Sequence, residues 1–214
     1  MNNVYENDMR FVPFLKFIDK HKNILILLAV ILLGAVSYFV VNNQIEKKKS
    51  EQAALVYKEW LEEISQENPN NESLNNLLDK FLKDYKNTGY TQLALLSKAN
   101  LDANSENYKD SLDNFNKLVE ITNGINGNKL YNKIARVSAS RLLLSMEKHD
   151  EALGMIDIYS SSDTNGYIHE LTGDILLEQG KIDLAKSQYE KAVNKYTDES
   201  SQTIIAMKIS NIDR

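Results

Sequence analysis

The side chains able to do acid–base or metal chemistry are few and scattered. His21, His149 and His169 are the three histidines, and none pairs with another at the i, i+4 spacing by which one helix face presents two imidazoles to zinc. Cysteine is absent, which removes thiolate nucleophiles, thiolate metal ligands and disulfides together. There is no Gly-x-Ser-x-Gly elbow, and Gly180-Lys181 is followed by Ile182 without the earlier glycine that a phosphate-cradling loop needs. Glu170 and Asp174, one helical turn apart, have types and spacing that could divide acid and base roles, but two acids on a solvated helix face look the same, and a solvated face is the expectation. Catalysis, metal binding and cofactor binding therefore have no residues to nominate. The chemistry expected of the chain is recognition by non-covalent contact.

The elements that must position such contacts begin with one apolar run, residues 24–41, ILILLAVILLGAVSYFVV. It holds about 18 uncharged residues, against the roughly 20 that cross a hydrocarbon core. Tyr38 and Phe39 sit where an interfacial aromatic belt would lie, and Lys20, Lys22, Lys47, Lys48 and Lys49 bracket the two ends. A core helix of this length is usually amphipathic, and a cleaved leader has a shorter apolar stretch, fewer acids than Glu6, Asp8 and Asp19 ahead of it, and a small-residue cleavage site. The run is read as an uncleaved anchor. Arg10, Lys16, Lys20 and Lys22 before it balance Lys47, Lys48, Lys49 and Lys58 after it, so charge leaves its direction open.

Beyond the anchor the chain is polar and acidic, in keeping with a net charge of −5, and such a surface repels nucleic acid. Proline occurs only at 13 and 69, and no stretch after the anchor alternates with period two for long, so nearly all of this part should be helix. Ile45, Ala53, Val56, Tyr57, Trp60 and Ile64 give a membrane-proximal helix its apolar stripe. After Asn68-Pro69-Asn70-Asn71, Ser73 is placed to cap a second helix, with Thr88-Gly89 as its end.

Helix pairs follow. In 167–196, YIHELTGDILLEQGKIDLAKSQYEKAVNKY, the repeat-packing residues Gly173, Gly180, Ala185, Tyr189 and Ala192 fall at tetratricopeptide spacings: small residues where two helices touch, larger ones in the next groove, Gly180 in the turn. Ser140, Leu143, Ala152 and Ile156 repeat the offsets upstream with Lys148-His149-Asp150 as the turn; the step from Ala152 to Ala185 is 33, against a usual value of about 34. Ala99, Ser111, Phe115 and Leu118 form a looser copy, with its turn near Ser105-Glu106-Asn107; the longer step of 41 is assigned to the stretch Gly124-Ile125-Asn126-Gly127-Asn128. An ordinary amphipathic bundle shares the stripes but not the glycine and alanine positions. The expected fold is thus all-α: a single N-terminal transmembrane helix followed by a tetratricopeptide-like α-solenoid. The expected division is a leader at 1–22, the span at 23–42, a membrane-proximal helix at 43–68, and repeats at 69–214 with a C-terminal capping helix.

The chain resembles the YfgM-like family, ancillary subunits of the Sec translocon. The resemblance rests on Val4-Tyr5-Glu6-Asn7-Asp8 ahead of the span, on Glu170-Leu171-Thr172-Gly173-Asp174 through Gly180-Lys181, and on the ending Met207-Lys208-Ile209-Ser210-Asn211-Ile212. Thr172, in place of a frequent basic residue, and Ser111, in place of a usual alanine, depart from its pattern. The resemblance implies a bacterial inner-membrane protein with its N-terminus cytoplasmic and its C-terminal domain periplasmic. It also implies a non-enzymatic role: association with the Sec translocon and a membrane-anchored periplasmic chaperone of the prolyl-isomerase class, in the traffic of secreted client proteins.

Stacked helix pairs display side chains of their first helices on a concave face, and by that geometry the candidate partner-binding residues are Tyr90, Gln92, Asn132, Arg136 and Glu170. The alternative reading is a regulatory adaptor whose cytoplasmic leader binds or sequesters a signalling protein.

Overall fold

The computed structural model describes residues 6–160 and 164–212 and is helical throughout apart from turns and loops, with no strand among the described residues. The leader motif that begins at Val4 starts outside them. The chain divides into two compact units at the junction of Gln52 and Ala53.

In the first unit, helix α1 (Glu6–Ile64) carries the apolar run, with Pro13 in its early turns. No part of the run is covered: Ile31, Leu32 and Phe39 are all well over half exposed. A wholly uncovered apolar helix is unstable in water and stable in lipid, where its backbone bonds are satisfied internally. It is the one described helix long and apolar enough to cross a membrane.

The second unit starts inside the same helix. Ala53, Val56 and Trp60, spaced three and four apart, are buried against α2 (Asn71–Asp84) and α3 (Gly89–Asn104), and the Trp60 indole N–H donates to Ser97 Oγ at 3.1 Å. Tyr57 packs on Phe81 and Tyr90. The helix assigned from sequence to the membrane-proximal segment thus contributes its last turns to the repeat core. Asn70, not Ser73, caps α2: its Oδ1 accepts the Glu72 and Ser73 amides, while Ser73 Oγ donates to Glu63. Thr88 does not end α2, which stops at Asp84; it caps α3, where its Oγ1 accepts from the Thr91 amide. Thr-Gly reads as a terminator, but a threonine oxygen at the next N-cap satisfies donors that would otherwise be orphaned.

Three helix pairs follow: α3 with α4 (Tyr108–Thr122), α5 (Lys129–Ser145) with α6 (His149–Ile156), and α7 (Gly166–Glu178) with α8 (Ile182–Lys195). Their turns are the same object. Glu106, Glu147 and Gly180 take φ of 61°, 59° and 72°. After each, the next amide reaches back to the first helix: Asn107 to Asp102, Lys148 to Leu143 and Lys181 to Leu176, at 2.8–2.9 Å. These are the bonds of a left-handed helix C-cap, and they deliver the chain straight into the second helix, so none of α4, α6 and α8 has a side-chain cap. The middle turn is therefore Met146-Glu147-Lys148, two residues before the expected place, with a glutamate where the third turn has glycine.

At the first two crossings one small residue meets another, Ala99 with Ser111 and Ser140 with Ala152, and in the third pair Gly173 and Ala185 hold the equivalent positions, all buried. Ser111 Oγ donates to the Ala99 carbonyl and Ser140 Oγ to the Ala152 carbonyl, so each hydroxyl is satisfied across its crossing. At Gly173 a Cβ would lie 2.6 Å from the Tyr189 ring, which is why the third crossing has glycine. The 41-residue step is not a loop insertion. The extra length is helical: α4 continues to Thr122, eleven residues past Ser111, where α6 and the 3-10 turn after it end at Tyr159, seven past Ala152, and α5 starts at Lys129, four residues ahead of Lys133, its equivalent of Gly166. Helix α9 (Glu199–Ile212) closes the end through buried Ile205 and packs on α8.

Candidate partner-binding groove

The groove lies between α5, α7 and α9. Arg141 and Leu144 come from α5, Tyr167, Glu170 and Asp174 from α7, and Lys208 from α9. Spacing on α7 explains three of them: 167, 170 and 174 recur every three or four residues along one face, while Ile168, Leu171 and Ile175 on the adjoining face are buried.

Glu170 and Asp174 are not a freely solvated pair, as their spacing alone suggested. Lys208 Nζ lies 2.9 Å from Glu170 Oε1 and 2.6 Å from Asp174 Oδ1, reaching both carboxylates from a distant helix. Tyr196 donates its hydroxyl to Glu170 Oε2 at 2.6 Å and Tyr189 donates to Asp174 Oδ1 at 2.7 Å. Burial alone would raise the Glu170 pKa, but the hydrogen bonds from Tyr196 and Lys208 outweigh it and hold it below the ordinary carboxylate value. Burial would lower that of Lys208, and its bonds to Asp174 and Glu170 win there too, raising it. The Tyr189 and Tyr196 hydroxyls are pushed up by burial, then by the carboxylates they face. Burial also raises the Tyr167 phenol, against the opposing pull of the Arg141 guanidinium.

A general acid at neutral pH needs a raised carboxyl pKa, and Glu170 is shifted the other way. What the arrangement offers is an open groove with a fixed floor: one ammonium held between two carboxylates, an exposed guanidinium and a phenol, suited to contact with a polypeptide.

Of the residues expected to bind a partner, only Glu170 lies in this groove. Tyr90 is half-buried against Tyr57, and Gln92 is buried. Asn132 is buried, its amide donating to the Val119 carbonyl at 3.0 Å and to Thr122 Oγ1. Arg136 donates from Nε to Asn132 Oδ1 and from Nη1 to the Met155 carbonyl. These side chains serve the contacts with α1, α4 and α6. The repeat-packing residues Ala185, Tyr189 and Ala192 are buried, Gly173 adjoins Tyr189, and Gly180 occupies its turn. Arg141 was legible in principle, being 33 residues before Asp174, the same step that relates the turns. No local pattern points to Lys208, which reaches the groove from the cap.

A family model described as a tetratricopeptide repeat-like domain matches residues 16–214. Among solved structures, MamA 41-end from Desulfovibrio magneticus RS-1 is similar in fold, with a TM-score of 0.51 and 15% identity over 77% of this chain and 93% of that one. The MamA RS-1 ArsTM double mutant gives 0.50 and 14%, over 78% and 95%. No curated protein matches.

Proposed function

The chain belongs to the tetratricopeptide repeat-like domain family, and from that premise we propose that it is a membrane-anchored, non-enzymatic scaffold that holds a protein partner in the groove of α5, α7 and α9. The observation that carries this reading is the cluster of Lys208 with Glu170 and Asp174. It fixes the cap against the third repeat and leaves Arg141 and Tyr167 accessible beside it. A groove that sets an exposed guanidinium and a half-buried phenol beside a fixed ionic cluster presents shape and a few directional polar groups, which suits peptide contact. The apolar α1 adds confinement, raising the effective concentration of any partner anchored in the same membrane.

The finer identity rests on the YfgM-like resemblance. The site is the Sec translocon of a bacterial inner membrane, with the N-terminus cytoplasmic and the repeats periplasmic. The partners are translocon subunits and a membrane-anchored periplasmic chaperone, and the clients are secreted proteins.

The test is purification in mild detergent of the full chain and of Arg141→Glu. Translocon and chaperone should accompany the parent chain and fall about tenfold with the variant, a loss of about 1.4 kcal/mol; equal recovery with both chains removes the groove from the account. The side of the membrane is read separately from a cysteine at exposed Ser200, unique because the chain has none. An impermeant thiol reagent should label it in intact spheroplasts, and labelling only after lysis contradicts the periplasmic placement.

A further inference from the structure

A second recognition surface lies away from the groove. The extra helical turn at the start of α5 forms one wall of a pocket of about 330 Å³, with Lys129, Asn132 and Lys133; Thr122 closes α4 behind it, and Ile158 and Tyr159 face it from the short 3-10 turn after α6. The third repeat has no such turn on α7, which starts at Gly166, the equivalent of Lys133.

Its floor is internally satisfied. Thr122 Oγ1 donates to the Leu118 carbonyl and accepts from the Asn132 amide, and Asn132 Oδ1 accepts from Arg136. The rim is not. Neither Lys129 nor Lys133 forms an ion pair among the described residues; the Lys133 ammonium lies 5.4 Å from the centroid of the Tyr159 ring. Among the described residues no carboxylate lines the pocket, in a chain of net charge −5, and Glu120 near the end of α4 is paired with Lys86. Ile158, which lines the pocket beside the two cations, is 61% exposed, and Leu130 and Ile125, each next in sequence to a lining residue, are 66% and 98% exposed. The loop that presents Ile125 is built. Gly124 has φ +101°, the Gly127 amide donates to its carbonyl at 3.2 Å, and a Cβ at Gly127 would overlap the Thr122 carbonyl. Asn128 Oδ1 then accepts the Leu130 and Tyr131 amides.

Two cations with no carboxylate partner among the described residues, beside an apolar opening, complement one kind of ligand. We propose that this pocket docks a protein segment that inserts an aliphatic or aromatic side chain between flanking carboxylates, independently of the α5–α7–α9 groove. Desolvation of the inserted side chain supplies affinity, and the two ammonium groups supply charge selection and register.

The experiment is selection of a random peptide display library on the full chain in neutral detergent micelles, with counter-selection on bare micelles. Enriched peptides should combine Asp or Glu with Leu, Ile, Phe or Trp. A synthetic enriched peptide should lose at least tenfold affinity for Lys129→Glu/Lys133→Glu and for Ile158→Asp, while binding Arg141→Glu as it binds the parent. Enrichment of neutral or basic peptides, undiminished binding to the pocket variants, or no enrichment over bare micelles overturns the proposal. So does a fluorophore at Ile125→Cys that shifts in phosphatidylglycerol nanodiscs but not phosphatidylcholine ones while no acidic peptide binds, because that outcome assigns the surface to lipid.

Discussion

Glu147 holds a left-handed backbone conformation, φ 59°, at a position where the following repeat has Gly180. For a residue with a Cβ that conformation costs about 1–2 kcal/mol, and glycine adopts it freely. Glu147→Gly should therefore raise the denaturation midpoint of the full chain in micelles, by about 1 kcal/mol in stability, and Gly180→Ala should lower it by a similar amount. A fall with Glu147→Gly would mean that the glutamate side chain supplies something the turn needs. The ionic cluster makes a second prediction, on pH. Because the Glu170 pKa is lowered by folding, its contribution is complete above the ordinary carboxylate range and is lost as pH falls through its folded value; because that of Lys208 is raised, its share is complete below the ordinary lysine value and is lost as pH rises through its folded value. Thermal melting against pH should give a plateau between those limits, and Glu170→Gln should flatten its acid limb. An unchanged limb would place the acid sensitivity elsewhere. Neither feature was open to sequence reading. The middle turn has no glycine to mark its left-handed residue and its neighbours Lys148-His149-Asp150 look equally turn-like, and the Lys208 pair joins residues 34 and 38 positions apart.

At the scale of elements, periodicity located the helices, and small residues stand where the first two helix pairs cross, because both follow from what two packed helices require. Ends and faces were less legible. Whether Thr88 closes one helix or opens the next depends on where its hydroxyl points, and Asn132 and Arg136 share a helix with groove residue Arg141 while serving the face toward α4 and α6. The clearest test concerns α1. Trp60 is fully buried and hydrogen-bonded to Ser97, so Trp60→Ala should destabilise the repeat unit by about 3–5 kcal/mol, as large-to-small core changes do. Urea denaturation followed by circular dichroism reads this directly. A change below about 1 kcal/mol would mean that α1 only abuts the repeats rather than completing their core.

At the scale of the molecule, an uncovered apolar helix and a helical repeat unit were both legible in the chain, the first from its uncharged run and the second from its 33-residue step. The partner surface was not, because it is assembled from α5, α7 and the cap, and only packing decides which residues of each helix meet there. The central claim is that this groove holds a protein partner. It is tested most directly by a photo-reactive residue at Arg141, in the groove, and at Glu190, exposed on α8, in the full chain in its native membrane. The account predicts a discrete adduct with a translocon or chaperone subunit from position 141 and none from 190. Equal adducts from both positions, or none from 141 in correctly inserted protein, would contradict it.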